Sequence, residues 1–124
     1  MARRRRTVEE RVEEFVARVA REFGVPPPKV EIVHGLKYTC GCTGYYDDVE
    51  KRIGLDAESG VNLITVLHEL AHHIQHTMLG LTIDKVGAEL EKKHCDRSFE
   101  AEAKAFATFY RDYFKGLWEK IVGW

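Results

Sequence analysis

Hydrophobic residues recur every three or four positions in three stretches of the chain, and this period predicts three helices. The stretches run from about Thr7 to Phe23, from Gly60 to Leu79 and from Arg97 to Val122. Thr7 and Glu10 have the spacing of a capping box at the start of the first helix. A further short helix is predicted within Asp84 to Lys93.

Between the first two helices the hydrophobic period changes to two, which is typical of strands. Pro26 to Pro28 exclude a helix there and favour an extended connection. Three short strands are predicted. The first contains the alternating residues Val30, Ile32 and His34, the second covers Leu36 to Tyr46, and the third covers Arg52 to Leu55. We expect an α+β fold: a small antiparallel sheet packed against an N-terminal helix, a central helix with the candidate active site, and a long C-terminal helix.

The length and charge of the chain favour one domain over residues 1–124. The formal net charge is -1, which does not suit a general binder of polyanions. Arg3 to Arg6 make residues 1–6 a basic tail, which we interpret as solvated, so nucleic acid is not an expected partner. No apolar run is long enough to cross a membrane, and none follows the arginines as in a secretory signal. We therefore expect a cytoplasmic protein without a membrane partner.

The chain has three cysteines, an odd number that argues against a disulfide framework. Cys40 and Cys42 lie two residues apart, whereas the cysteines of a metal knuckle usually have Cys-x-x-Cys spacing. We therefore interpret Cys40, Cys42 and Cys95 as buried or free thiols and not as ligands of a second metal.

The motif with the clearest chemistry is His68-Glu69-Leu70-Ala71-His72. Residues four apart on a helix lie one turn apart on the same face, so the imidazoles of His68 and His72 can converge on one ion. Glu69 lies beside that ion, where a general base can take a proton from the attacking water. This spacing is the zinc metalloprotease motif, and it predicts a Zn2+ site with Glu69 as the catalytic base.

A catalytic zinc site usually has three protein ligands, so a third ligand must come from elsewhere in the chain. The candidates are His94, Asp96, Glu100 and Glu102. Glu100 and Glu102 flank the apolar stripe of the third helix on opposite sides, so periodicity does not choose between them. The neighbours of Glu100 are small alanines, Ala103 and Ala107, whereas large aromatic residues surround Glu102.

The segment Glu100-Ala-Glu-Ala-Lys-Ala-Phe-Ala107 resembles the downstream element of the gluzincin metallopeptidases, and its Glu-x-x-Ala-x-x-Phe-Ala pattern is similar to the ImmA/IrrE-type enzymes. The Arg52 to Asp56 strand before the motif helix resembles the compact minigluzincins. This resemblance implies His68, His72 and Glu100 as zinc ligands and Glu69 as the base. Lys104 departs from the family, where an acidic or amide residue commonly holds a zinc-binding histidine. Asp96 is a candidate substitute for that partner.

The resemblance implies a zinc-dependent hydrolase of peptides or proteins, in which an edge strand, here Arg52 to Asp56, pairs with extended substrate. Two alternatives remain open: an SprT-like DNA-associated protease with His94 as the third ligand, and a regulatory module whose zinc is structural and closed by a fourth ligand. The oligomeric state is not predicted.

Several further residues have chemistry that the cleft could use. The candidates for stabilising the oxyanion are Tyr110, His94 and Arg111. The C-terminal aromatic residues Trp118 and Trp124 suggest a segment that covers the cleft and keeps the enzyme latent. His76 follows His72 by one turn, and we interpret it as an ordinary, partly exposed histidine.

Overall fold

The computed structural model describes residues 6–36, 38, 41–78 and 98–123. The elements run in the order α1 (Val8–Glu22), β1 (Lys29–Val33), β2 (Gly44–Asp47), β3 (Arg52–Asp56), α2 (Leu63–Met78) and α3 (Ser98–Ile121). The α+β fold with its N-terminal, central and long C-terminal helices is therefore confirmed. The short helix predicted within residues 84–93 lies outside the described residues.

The local signals at α1 act as the sequence predicts. The side chain of Thr7 accepts a hydrogen bond from the backbone N–H of Glu10 at 3.1 Å, and the Glu10 carboxylate accepts one from the N–H of Thr7 at 3.3 Å. Both halves of the capping box are present, so two of the free donors at the helix start are satisfied. The buried face of α1 consists of Val12, Phe15, Val16, Val19 and Ala20.

The sheet has the strand order β1-β3-β2 and is mixed, so the prediction of an antiparallel sheet is wrong for β1. β2 pairs antiparallel with β3, but β1 pairs parallel with β3, with Val30 opposite Ile53. The prediction of Arg52 to Asp56 as an edge strand is therefore wrong, because β3 lies in the centre. Alternation of apolar residues defines which side chains share a face, but it contains no information on strand order or direction.

The hydrophobic core contains residues of all three helices and of β1 and β3, and the C-terminal half of α3 is part of it. The rings of Phe15 and Trp118 meet edge to face with centroids 5.1 Å apart, and Trp118 is only 3% exposed. Trp118 lies 18 positions after Glu100, which corresponds to about 27 Å along a helix. The predicted cover over the cleft is therefore wrong for Trp118, and Trp124 lies outside the described residues.

No helix among the described residues has the length and apolar character that a membrane crossing would need.

Candidate metal centre

Three side chains from two helices converge at one point. His68 and His72 lie one turn apart on α2, and Glu100 lies in the first turn of α3. The Nε2 atoms of the two histidines are 3.2 Å apart. Glu100 Oε2 lies 3.1 Å from His68 Nε2, and its Oε1 lies 2.9 Å from His72 Nε2. One ligand atom of each residue lies within 4.8 Å of the other two, a spacing that could hold one metal ion.

Packing between α2 and α3 selects Glu100 over Glu102. Ala103 and Ala107 on α3 are both buried, and these small residues let α2 approach closely, as the sequence suggested. Glu100 is buried at this contact, whereas Glu102 is exposed and contacts Gln75 instead. The two other predicted candidates, His94 and Asp96, lie outside the described residues.

The carboxylate of Glu100 and the imidazoles of His68 and His72 each favour the charged form of the other. Burial raises the pKa of the Glu100 carboxyl, but hydrogen bonds from His68 and His72 outweigh this effect and lower the pKa overall. Burial lowers the pKa of His72, but its hydrogen bond to Glu100 and the charge of that carboxylate raise the pKa overall. Glu100 is therefore an ionised carboxylate in a buried site, which is an environment that attracts a cation.

A second layer of side chains orients His72. The Nδ1–H of His72 donates to Oε1 of Gln75 at 2.9 Å, and the amide nitrogen of Gln75 donates to Glu102 at 3.1 Å. Because Nδ1 holds a proton, Nε2 is the nitrogen that faces Glu100; it donates to that carboxylate here and would bind a metal after losing its proton. Gln75 is a contact of His72 that was not predicted from the sequence, although its position three residues after His72 places it on the same helical face.

Glu69 lies beside the three converging side chains and is only 6% exposed. Burial raises the pKa of its carboxyl, the charges of His72 and His68 lower it in part, and Glu100 raises it further. A Cβ atom added at Gly44 would lie 3.3 Å from Glu69 Cγ and 3.0 Å from Thr65 Cγ2. The absence of a side chain at position 44 therefore lets β2 pack closely against the predicted base.

A cleft of about 760 Å³ opens over these residues. It is lined by residues 41–46, by residues of α2 and by Glu100 and Lys104 of α3. Tyr110 and Arg111, two of the predicted oxyanion residues, do not line this cleft. The ring of Tyr110 packs edge to face on Phe23, and Arg111 borders a separate cavity.

The two further histidines of α2 have different environments. His73 is 2% exposed, its Nε2–H donates to the carbonyl of Pro26 at 2.6 Å, and its Nδ1 accepts from the hydroxyl of Tyr46 at 2.7 Å. His76 is partly buried, lines the cleft, and lies 3.4 Å from Asp48. His73 therefore ties α2 to β2 and to the segment before β1.

Cys42 forms a disulfide in this structure, so its interpretation as a free thiol is wrong. An odd cysteine count excludes complete pairing of the three, but it does not exclude one bridge. The interpretations of Cys40 and Cys95 concern positions that lie outside the described residues.

Comparisons with family models, with curated proteins and with solved structures find no match for this chain. The case for function therefore depends on the geometry of the site.

Proposed function

We propose that this protein is a zinc-dependent peptidase of the gluzincin type, with His68, His72 and Glu100 as metal ligands and Glu69 as general base. The observation that supports this proposal is the convergence of the three ligand atoms within 4.8 Å of one another beside the buried Glu69. A motif on one helix supplies two ligands and the base, and tertiary packing of α3 supplies the third ligand.

The donor set fits zinc. Two imidazole nitrogens and one carboxylate oxygen are the ligands of a common type of catalytic zinc site, in which a fourth position stays open. Gln75 accepts a hydrogen bond from Nδ1 of His72, which leaves Nε2 as the nitrogen that would bind the metal. Zinc bound there supplies an electrophile that polarises the scissile carbonyl and makes water more acidic.

Glu69 moves the proton in this reaction. Its carboxylate accepts the proton of the attacking water and then gives it to the nitrogen of the leaving amine. Burial raises the pKa of Glu69, which makes the carboxylate a stronger base than an exposed glutamate. In the metal-free protein the charges of His72 and His68 lower this pKa in part; with zinc bound, the charge of the ion would act in the same direction.

The outer edge of β2 supports a polypeptide substrate. The N–H of Asp56 donates to the carbonyl of Thr43 at 2.8 Å, so position 43 bonds toward β3. Bonding positions alternate in an antiparallel pair, which directs the polar backbone groups of Gly44 and Tyr46 away from β3. No other strand pairs there within the described residues, so an extended peptide can add to this edge beside the metal ligands.

The two alternatives from the sequence have less support. A structural zinc site uses four ligands, and the candidates for the fourth, His94 and Asp96, lie outside the described residues. A closed site also has no use for a buried carboxylate such as Glu69. The SprT-like alternative requires His94, which lies outside the described residues.

The proposal is tested by measuring zinc content and cleavage of an unfolded protein in wild type and in Glu69→Gln. We expect stoichiometric zinc in both proteins and a loss of cleavage of about 10²-fold or more in the variant, because the amide cannot accept the proton. Glu58→Gln, at an exposed glutamate of a turn, is the matched control and should cleave like wild type. Full activity in Glu69→Gln, or no cleavage by zinc-loaded wild type, would refute the proposal.

A further inference from the structure

Lys104 is the only lysine or arginine among the described residues that lines the cleft. It is exposed, and it follows the ligand Glu100 by one helical turn of α3. No described carboxylate lies within 4.0 Å of its ammonium group. The cleft therefore contains a cation whose counter-charge does not come from the described part of the protein.

Lys104 lines the same cleft as the free edge of β2. The cleft is lined by residues 41–46, by α2 and by Glu100 and Lys104 of α3, and both β2 and α3 pack against α2. Lys104 is about 6 Å from Glu100 along α3, and an extended peptide advances about 3.3 Å per residue. A peptide on the outer edge of β2 that runs alongside α3 would therefore bring a residue within about two positions of the scissile bond to Lys104.

The charges of the cleft indicate what that substrate residue carries. Among the described residues, Glu69 and Glu100 are the carboxylates that line it, and together they balance a divalent ion. Asp48, near the His76 end, pairs with Lys51 at 2.6 Å. The ammonium of Lys104 then gives the described lining of the loaded cleft an excess of positive charge, which attracts an anionic group.

We propose that Lys104 binds a carboxylate of the substrate within about two residues of the scissile bond, so that the enzyme prefers peptides with an anionic group there. This inference rests on the proposed peptidase function. The carboxylate is either the side chain of Asp or Glu or the C-terminal carboxylate of a short peptide. The chemistry is the same in both cases: an ammonium donates charge-assisted hydrogen bonds to a carboxylate.

The test uses peptides that differ only in one group. One series replaces Gln by Glu at each position from three before to three after the scissile bond, and a second compares a free C-terminal acid with its amide. We expect kcat/KM of wild type to be about 10-fold higher for the anionic member of one pair, as a hydrogen bond to a charged group provides. A preference in the first series identifies the side chain, and one in the second identifies the C terminus.

The variants Lys104→Met and Lys104→Glu show whether Lys104 causes the preference. In Lys104→Met the ratio of kcat/KM within the pair should fall to about 1, and in Lys104→Glu it should invert. Lys120→Met, at another exposed lysine of α3 that does not line the cleft, is the matched control and should keep the wild-type ratio. An equal ratio in wild type, Lys104→Met and Lys104→Glu would overturn the inference.

A binding measurement separates this inference from the peptidase proposal. Zinc-loaded Glu69→Gln and Glu69→Gln/Lys104→Met are titrated with the same peptide pairs by calorimetry. We expect Glu69→Gln to bind the anionic peptide about 10-fold more tightly than the neutral one, and the double variant to bind both equally. The same affinity for both peptides in Glu69→Gln contradicts the role of Lys104, whether or not wild type cleaves them. Cleavage without any charge preference leaves the peptidase proposal intact and refutes only this inference.

Discussion

The Nδ1 atom of His72 lies 2.9 Å from Oε1 of Gln75, three residues further along the same helix. Gln75 is held in turn by Glu102 on α3, at 3.1 Å. From the sequence, an orienting partner of a zinc-binding histidine was expected near position 104 or at Asp96, whereas in the structure Gln75 contacts His72. His72 therefore has an orienting partner, Gln75, although position 104 is a lysine.

Removal of the Gln75 side-chain amide should weaken zinc binding. In Gln75→Leu the acceptor for His72 Nδ1–H is lost, so the imidazole is no longer held in the tautomer that presents Nε2. We expect a fall in zinc affinity of about 10- to 100-fold, measured by competition with a chromophoric chelator. Thr77→Ala, at an exposed position of the same helix, is the control. Wild-type zinc affinity in Gln75→Leu would show that this hydrogen bond does not orient His72.

Glu100 and Glu102 offer a matched pair for testing the third ligand. Glu100→Ala removes the carboxylate that contacts both histidines, so zinc affinity should fall by more than the roughly 100-fold expected of an orienting residue. Glu102→Ala removes only the support of Gln75 and should keep stoichiometric zinc. Metal analysis of both purified variants decides the point, and stoichiometric zinc in Glu100→Ala would exclude this carboxylate as an essential ligand.

Gly44→Ala should impair activity while zinc stays bound. The added Cβ would lie 3.0 Å from Thr65 Cγ2, 3.1 Å from the carbonyl oxygen of Gly54 and 3.3 Å from Glu69 Cγ. The carbonyl of Gly54 is part of the sheet and cannot move far, so the added Cβ displaces the side chain of Glu69 instead. We expect kcat/KM to fall by about 10- to 100-fold.

The same change at Gly116 provides the control for Gly44→Ala. An added Cβ at Gly116 has no neighbour within 4 Å, and this residue lies within α3. Alanine there should preserve activity and raise stability by about 0.5–1 kcal/mol through helix propensity. Equal kcat/KM for Gly44→Ala and Gly116→Ala would show that the contact of Gly44 with Glu69 has no effect on catalysis.

His73 should make the stability of the metal-free protein depend on pH. Burial lowers the pKa of His73 below its ordinary value of 6.5, despite the opposing hydrogen bond to Pro26. Near pH 6.5 the unfolded chain therefore binds a proton at His73, whereas the folded protein does not. The free energy of unfolding decreases as the pH falls below that value.

Thermal unfolding in the presence of a chelator, from about pH 7.5 to about pH 5, measures this effect against His73→Gln, which cannot titrate. The pKa of His72 is raised, so its contribution has the opposite sign, but it is present in both proteins. Wild type should lose more stability than the variant toward low pH. Parallel profiles of melting temperature would contradict the role of His73.

Much of the site was predicted because its chemistry depends on local spacing. The positions of His68, Glu69 and His72 follow from the helical period, and this period depends only on the backbone of one segment. The capping box at Thr7 and Glu10 and the pattern of the three helices are local in the same sense. For these features, the side chains that interact are neighbours in the sequence.

Tertiary structure decided what a one-dimensional pattern does not contain. Glu100 and Glu102 flank the same apolar stripe, and only the packing of α3 against α2, with Ala103 and Ala107 buried, brings Glu100 to the histidines. Strand order is equally nonlocal, since the alternation of β3 is compatible with an edge or a central position. The edge beside the cleft is formed by β2, because the turn after Asp47 folds it back on β3. The sequence alone thus determined the motif on α2, and the packing of distant segments determined which carboxylate joins its histidines, the support of Gln75 by Glu102 and the free strand edge beside the cleft.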